Sequence, residues 1–169
     1  SAKTFFNNLS GSETLIEDHI RARGENDIVK STSLFINSKN GLAGSSDKKV
    51  LTPAGEYLPF LMGWLPKLLQ AEPEQSFTSS REFSKGTNFE YLFFNNLNIK
   101  TVVCSEIFSP NLLKGDYSLI TGQGSLGIFK GSELLEKELV SALRMRAIEN
   151  SAPAVLALNY GQSYVINSK

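Results

Sequence analysis

Apolar residues along the chain recur with two periods, and each period predicts a different kind of element. Between Ser132 and Ile148 they return at helical steps, with Leu135, Leu139, Leu143 and Ala147 on one face. Glu133 and Glu136 come early and Arg144 and Arg146 late, the order that suits a helix dipole; Asn150 to Pro153 ends the segment. A second helix is predicted over Pro53–Leu69, where Thr52 can cap and Pro53 has no amide to leave unpaired in the first turn. Leu58, Leu61, Met62, Leu65, Leu68 and Leu69 make its stripe, with Trp64 on a neighbouring face and Pro66 expected to kink it. A third, short helix is predicted over residues 10–23. Ser10 and Glu13 have capping-box spacing there, Leu15, Ile16 and Ile20 form a stripe, and Gly24 is a natural stop.

The remaining apolar runs read as strands. "DIVKSTSLFIN" is rich in β-branched residues and is followed by Asn40-Gly41, so it predicts a hairpin with "KKVLT" as the returning strand. "FEYLFFNNLNIKTVVCSEIFS" predicts a hairpin about Asn95-Asn96, and "DYSLITGQGSLGIFKG" one that turns at Gly122 to Gly124. "AVLALNYGQSYVINS" predicts a last hairpin near Tyr160-Gly161, while residues 70–85 read as a polar loop with one short strand. Four hairpins and about three helices, with few helices between strands, predict an α+β fold on a mostly antiparallel sheet. The word FFNNL at 5–9 and 93–97 leads into different predicted elements, so it is read as coincidence rather than a repeat.

Length and composition narrow the class. A chain of 169 residues, 41% hydrophobic and 20% charged, predicts a single folded domain over 1–169. Seventeen basic residues balance seventeen acidic ones, and residues 1–70 hold eight against seven, which argues against nucleic acid as a partner. One cysteine and one histidine exclude an intrachain disulfide and a zinc site of the usual Cys/His kind, and no cofactor is expected. No apolar run reaches the roughly 20 residues that span a bilayer. Cytoplasm is the default expectation, and a secreted domain with its signal removed is compatible.

Candidate chemistry is sparse. "GQGSLG" before "KGSELLEK" lacks the spacing of a phosphate cradle and reads as a turn followed by a helix cap. Cys104 alternates within an apolar strand and His19 lies beside Asp18, so the pair reads as a buried thiol and a surface imidazole.

Two local stretches resemble known families. Leu34, Phe35, Ile36, Ser38, Lys39 and Gly41, then "LTPAGE" at 51–56, resemble the wing of LysR-type and MarR-type winged-helix regulators over 34–58. That resemblance implies phosphate contacts from Lys39, Lys48 and Lys49, but only about 22 residues precede the strand, too few for the two helices such a domain places before its wing. "YLFFNNLNIKTVVCSEIFSP" (91–110) resembles the closing hairpin of chorismate-lyase-like proteins, which implies a ligand-binding pair of Glu106 and Arg81.

With few catalytic residue types in view, the leading expectation is a non-catalytic domain that binds a protein or a small molecule. Phe89, Tyr91, Phe93, Phe94, Phe108, Tyr117 and Phe129 would leave aromatic surface for that partner. A DNA-binding regulator and a small lyase-like enzyme on a carboxylated substrate are the alternatives.

Overall fold

The computed structural model describes residues 15–23, 29–39, 41–52, 56, 83–86, 92–127 and 131–169. In chain order these form β1 (Leu15–Arg23), β2 (Val29–Asn37), β3 (Gly41–Asp47), β4 (Leu92–Phe94), β5 (Leu97–Val103), β6 (Leu119–Ser125), α1 (Glu133–Glu149), β7 (Ala154–Asn159) and β8 (Tyr164–Ile166). Two short 3-10 helices, Cys104–Phe108 and Pro110–Leu113, connect β5 to β6.

The class is α+β, with two sheets. β1-β2-β3 is a fully antiparallel meander, and β4-β5-β6-β7-β8 is mixed. Within the second sheet β5, β6 and β7 run parallel, while β4 and β8 flank them antiparallel. Phe35 of β2 packs on Leu92 and Ile99 of β4 and β5, with Leu15, Phe94 and Leu119 around them, so the two sheets face each other. α1 covers the opposite face of the mixed sheet. Its Leu139, Leu143 and Ala147 close over Val102, Ile107, Ile120, Leu156 and Ile166. Each fully buried aliphatic side chain there contributes about 1.5–3 kcal/mol.

Several expectations are met. The Asn95-Asn96 hairpin forms with both asparagines at positive φ, 47° and 63°, as a tight two-residue turn demands. The helix predicted from Ser132 runs over Glu133–Glu149 with Ser132 as its cap, and β7 and β8 make the last hairpin.

Other expectations are corrected. Residues 15–23, predicted as helix, form β1, which pairs with β2 at nine consecutive positions. Leu15, Ile16 and Ile20 satisfy a helical stripe and a half-buried strand about equally, and the partner strand decides. The strand returning from β2 is Gly41–Asp47, not 48–52; Lys48 to Thr52 continue beyond the sheet as irregular backbone with a bend at Val50. The glycines at 122 and 124 do not turn the chain. β6 runs straight through them, because a Cβ at Gly122 would stand 3.1 and 3.2 Å from Leu156 and Leu143, and one at Gly124 would stand 3.0 Å from Leu158. Their missing side chains let neighbouring leucines approach the sheet. Among the described residues there is one α-helix rather than about three; Pro53–Leu69, apart from Glu56, lies outside the described residues, as does Arg81.

Candidate functional site

The parallel strands β5, β6 and β7 all end at the same side of the sheet, and such carboxyl ends are where α/β sheets commonly hold ligands. At the end of β5 the chain leaves extended geometry abruptly. Val103 has φ −117°, while Cys104, the next residue, has φ 53°. Positive φ is uncommon for a residue with a β-carbon and is held only when its surroundings enforce it. Cys104 is half-buried, with its thiol outside any disulfide.

The enforcing group is Glu106. It is 1% exposed, yet its carboxylate is well solvated by protein. Oε1 accepts from the backbone amides of Lys49 at 2.6 Å and Val50 at 3.0 Å, and Oε2 accepts from the amide of Val103 at 3.0 Å. One side chain therefore ties the residue before Cys104 to the segment that follows β3. Ser105 adds to the junction, since its hydroxyl donates to the Val50 carbonyl at 3.2 Å and the Thr52 hydroxyl lies 3.0 Å away.

That stitched segment begins with Lys48, also 1% exposed. Its ammonium donates to both oxygens of Glu56, at 2.9 and 2.7 Å, and the amide of Thr52 donates to Glu56 Oε2 at 2.7 Å. Backbone bonds hold the lysine as firmly: its amide donates to the Ser31 carbonyl and its carbonyl accepts from Gly86. Gly86 is required at this contact, because a Cβ there would fall 2.1 Å from the Asp47 β-carbon. A buried, fixed cation and a conformationally constrained thiol are thus brought onto adjoining segments. Together they can supply a nucleophile and a donor for developing negative charge.

A second lysine lies behind the strand. Lys100, fully buried on β5, is pushed down to about 7, chiefly by burial and further by Lys49, with Glu106 partly opposing. Among the described residues no three His, Cys, Asp or Glu side chains gather as a metal site requires.

Of the residues singled out from sequence, Lys39 sits exposed at the β2–β3 turn, Lys49 is half-buried beside Glu106, and Lys48 is buried in its ion pair. Glu106, suspected as a strand carboxylate, is a buried clamp in a 3-10 helix. Cys104, expected as a buried thiol within a strand, is half-buried at the start of a 3-10 helix, and the Lys48–Glu56 pair has no counterpart among the expectations from sequence. The available signal was a lone cysteine ending an apolar strand, followed two residues on by a glutamate.

No family model matches this sequence. No curated protein matches it either. Solved structures do share the fold. A carbon-nitrogen hydrolase from Helicobacter pylori G27 superposes with TM-score 0.68 at 13% identity, over 99% of this chain and 59% of that one. An amidase from Nesterenkonia sp. AN1, captured after Michael addition of acrylamide at its active-site cysteine, matches with TM-score 0.58 at 15% identity, over 86% of this chain and 48% of that one. A further form of that amidase, described as a member of the nitrilase superfamily, matches with TM-score 0.62 at 14% identity, over 91% and 54%. The chain spans about half to three fifths of the length of these proteins.

These likenesses correct the sequence reading. The fold is that of carbon-nitrogen hydrolases, so the winged-helix and chorismate-lyase resemblances were local words without the fold behind them. Within the "LTPAGE" run at 51–56 the described residues are Leu51, Thr52 and Glu56, and there the Thr52 amide donates to the Glu56 carboxylate. The expectation of a non-catalytic binding domain, with its lean away from an enzyme and its DNA-binding alternative, is overturned by this likeness to the fold of carbon-nitrogen hydrolases.

Proposed function

We propose that this chain carries the thiol half of a cysteine-dependent carbon-nitrogen hydrolase, with Cys104 as nucleophile and Lys48 as the electrostatic partner of the reacting carbonyl. The observation that carries the reading is the junction itself: Cys104 at positive φ at the end of β5, bound through Glu106 to the backbone that presents Lys48. Two facing sheets with a helix outside one of them agree with three layers of an αββα sandwich, the nitrilase arrangement.

The chemistry is amide acyl transfer in two steps. The sulfur of Cys104 attacks the amide carbonyl carbon to form a C–S bond, and the oxyanion that develops is stabilised by the Lys48 ammonium. Collapse breaks the C–N bond, and the thiol proton leaves on the amine. Water then cleaves the thioester, releasing the acid and restoring the thiol. Glu56 keeps Lys48 aimed through two hydrogen bonds; Glu106 keeps the backbone before Cys104 in place.

Fluoroacetamide offers a direct test, because displacement of fluoride leaves the acetamide group on the attacking sulfur. Peptide mass mapping should find the adduct on Cys104, and Lys48→Met should slow its formation. An unmodified Cys104 under conditions that alkylate free thiols, or a Cys104→Ser variant that still releases ammonia from short aliphatic amides as fast as the parent, would remove the reading.

A further inference from the structure

The space between the two sheets changes character along its length. At one end Phe35, Leu92 and Ile99 close on each other, but toward Cys104 the same faces carry Ser33, Ser46, Thr101, Thr121 and Glu17. Glu17 stands opposite Phe35 in the β1–β2 register, so a carboxyl enters a gap that sheet packing usually fills with apolar groups. It crosses to the other sheet and meets the hydroxyl of Thr101, 84 positions away in sequence.

Thr101 lies on β5, three residues before Cys104, and pairs in register with Thr121 of β6. Its hydroxyl is also 3.5 Å from the Thr121 carbonyl oxygen, the outer limit of a hydrogen bond. A hydroxyl has one hydrogen to give. If Glu17 is ionised, Thr101 must turn that hydrogen to the carboxylate and abandon the carbonyl. If Glu17 is protonated, its own O–H donates to Thr101, and Thr101 donates on to Thr121, joining β1, β5 and β6 in one chain. Burial favours the second arrangement, raising the Glu17 pKa above the usual carboxylate value, with the Thr101 and Thr121 hydroxyls partly offsetting it.

We propose that Glu17 is a positioning residue, which as the neutral acid links β5, the strand leading into Cys104, to β1 of the facing sheet and to β6 beside it, and on ionisation gives up the β6 half of that brace. The proposal rests on Cys104 being the nucleophile. Among the described residues, the positions facing Glu17 from β2, β3, β5 and β6 are the uncharged Phe35, Gly44, Thr101 and Thr121. His19, hydrogen-bonded to Ser31, and Lys48, paired with Glu56, lie further along the same face, with Arg21 and Arg23 at the next alternate register positions of β1; Asp18 and Lys100 alternate to the other faces of their strands.

The test is the rate of Cys104 alkylation by iodoacetamide in the full chain, resolved by peptide mass mapping from about pH 5.5 to about pH 8.5, with thermal midpoints measured alongside. Glu17→Gln stays neutral and keeps a donor for Thr101, so the ratio of wild-type to Gln rate should be near one at the acid end and fall as pH rises. Glu17→Ala, which lacks the brace at every pH, should alkylate about tenfold more slowly than wild type at the acid end. A rate ratio that does not change with pH, or an Ala variant as fast as wild type, overturns the proposal. Should Ala fail to fold, the Gln ratio alone decides. If Cys104 reacts no faster than glutathione in every protein, yet the thermal midpoint falls with rising pH in wild type and not in Glu17→Gln, the brace stands and the nucleophile reading is what fails.

Discussion

At Cys104 a single backbone angle separates an inert strand thiol from a presented one, and nothing in the side-chain pattern of "IKTVVCSE" announces it. The angle is held by Glu106, so that carboxylate is where a substitution says most. Glu106→Gln keeps the shape but replaces one acceptor oxygen with an N–H donor that must face a backbone N–H. Leaving one buried donor unmatched costs about 2 kcal/mol, which in a chain of this size lowers the thermal midpoint by roughly 4–8 °C. Calorimetry should find that drop, together with a loss of Cys104 alkylation larger than the stability change explains. The Lys48–Glu56 pair makes the companion case. Glu56→Gln strands a buried ammonium, and breaking such a pair typically costs about 3–5 kcal/mol, measurable by urea unfolding. Both residues were visible in the sequence as members of other motifs. The bond from Glu106 to the segment that carries Lys48 was not, because it depends on backbone amides more than fifty positions away.

Elements were legible where local signals agreed with the final environment. α1 kept its predicted cap and its face of Leu139, Leu143 and Ala147 because the helix packs on the sheet with the stripe its spacing declares. Leu143→Ala should therefore cost about 2–5 kcal/mol, whereas Leu134→Ala, at a position 71% exposed on the same helix, should stay within about 0.5 kcal/mol; parallel chemical denaturations of the two variants check the contrast. β1 and β6 were misread for opposite reasons. In β1 a capping-box spacing at Ser10 and Glu13 competed with a nine-residue ladder that only β2 could reveal. In β6 two glycines resembled a turn, while their function is clearance under Leu143 and Leu158. Gly122→Val should be more damaging than a surface strand valine substitution, since its side chain has no room beneath α1.

For the molecule as a whole, the α+β class followed from hairpin signals with few helices between strands, but the parallel core of the mixed sheet did not. Parallel pairing joins distant segments through crossovers, and glycine turns had suggested hairpins instead. The same arrangement buries Lys100 and partly buries Glu17, and their effects on stability run in opposite directions. Lys100, pushed down to about 7 from the ordinary lysine value of 10.5, binds fewer protons folded than unfolded between those values, so it makes stability rise with pH through that window. Glu17, raised above 4.5, binds more protons folded and makes stability fall as pH climbs from the ordinary carboxylate range to its own higher value. Lys100→Met should flatten the alkaline slope and leave the acid one, as thermal midpoints across pH will show.

The central claim is that Cys104 forms the acyl bond. Intact and peptide mass spectrometry after brief exposure to p-nitrophenyl acetate measures it most directly, since the activated ester makes acylation faster than release. The account predicts one acetyl group, on Cys104, absent in Cys104→Ala and retarded in Lys48→Met. Acetylation confined to surface lysines, or equal labelling of wild type and Cys104→Ala, would contradict it.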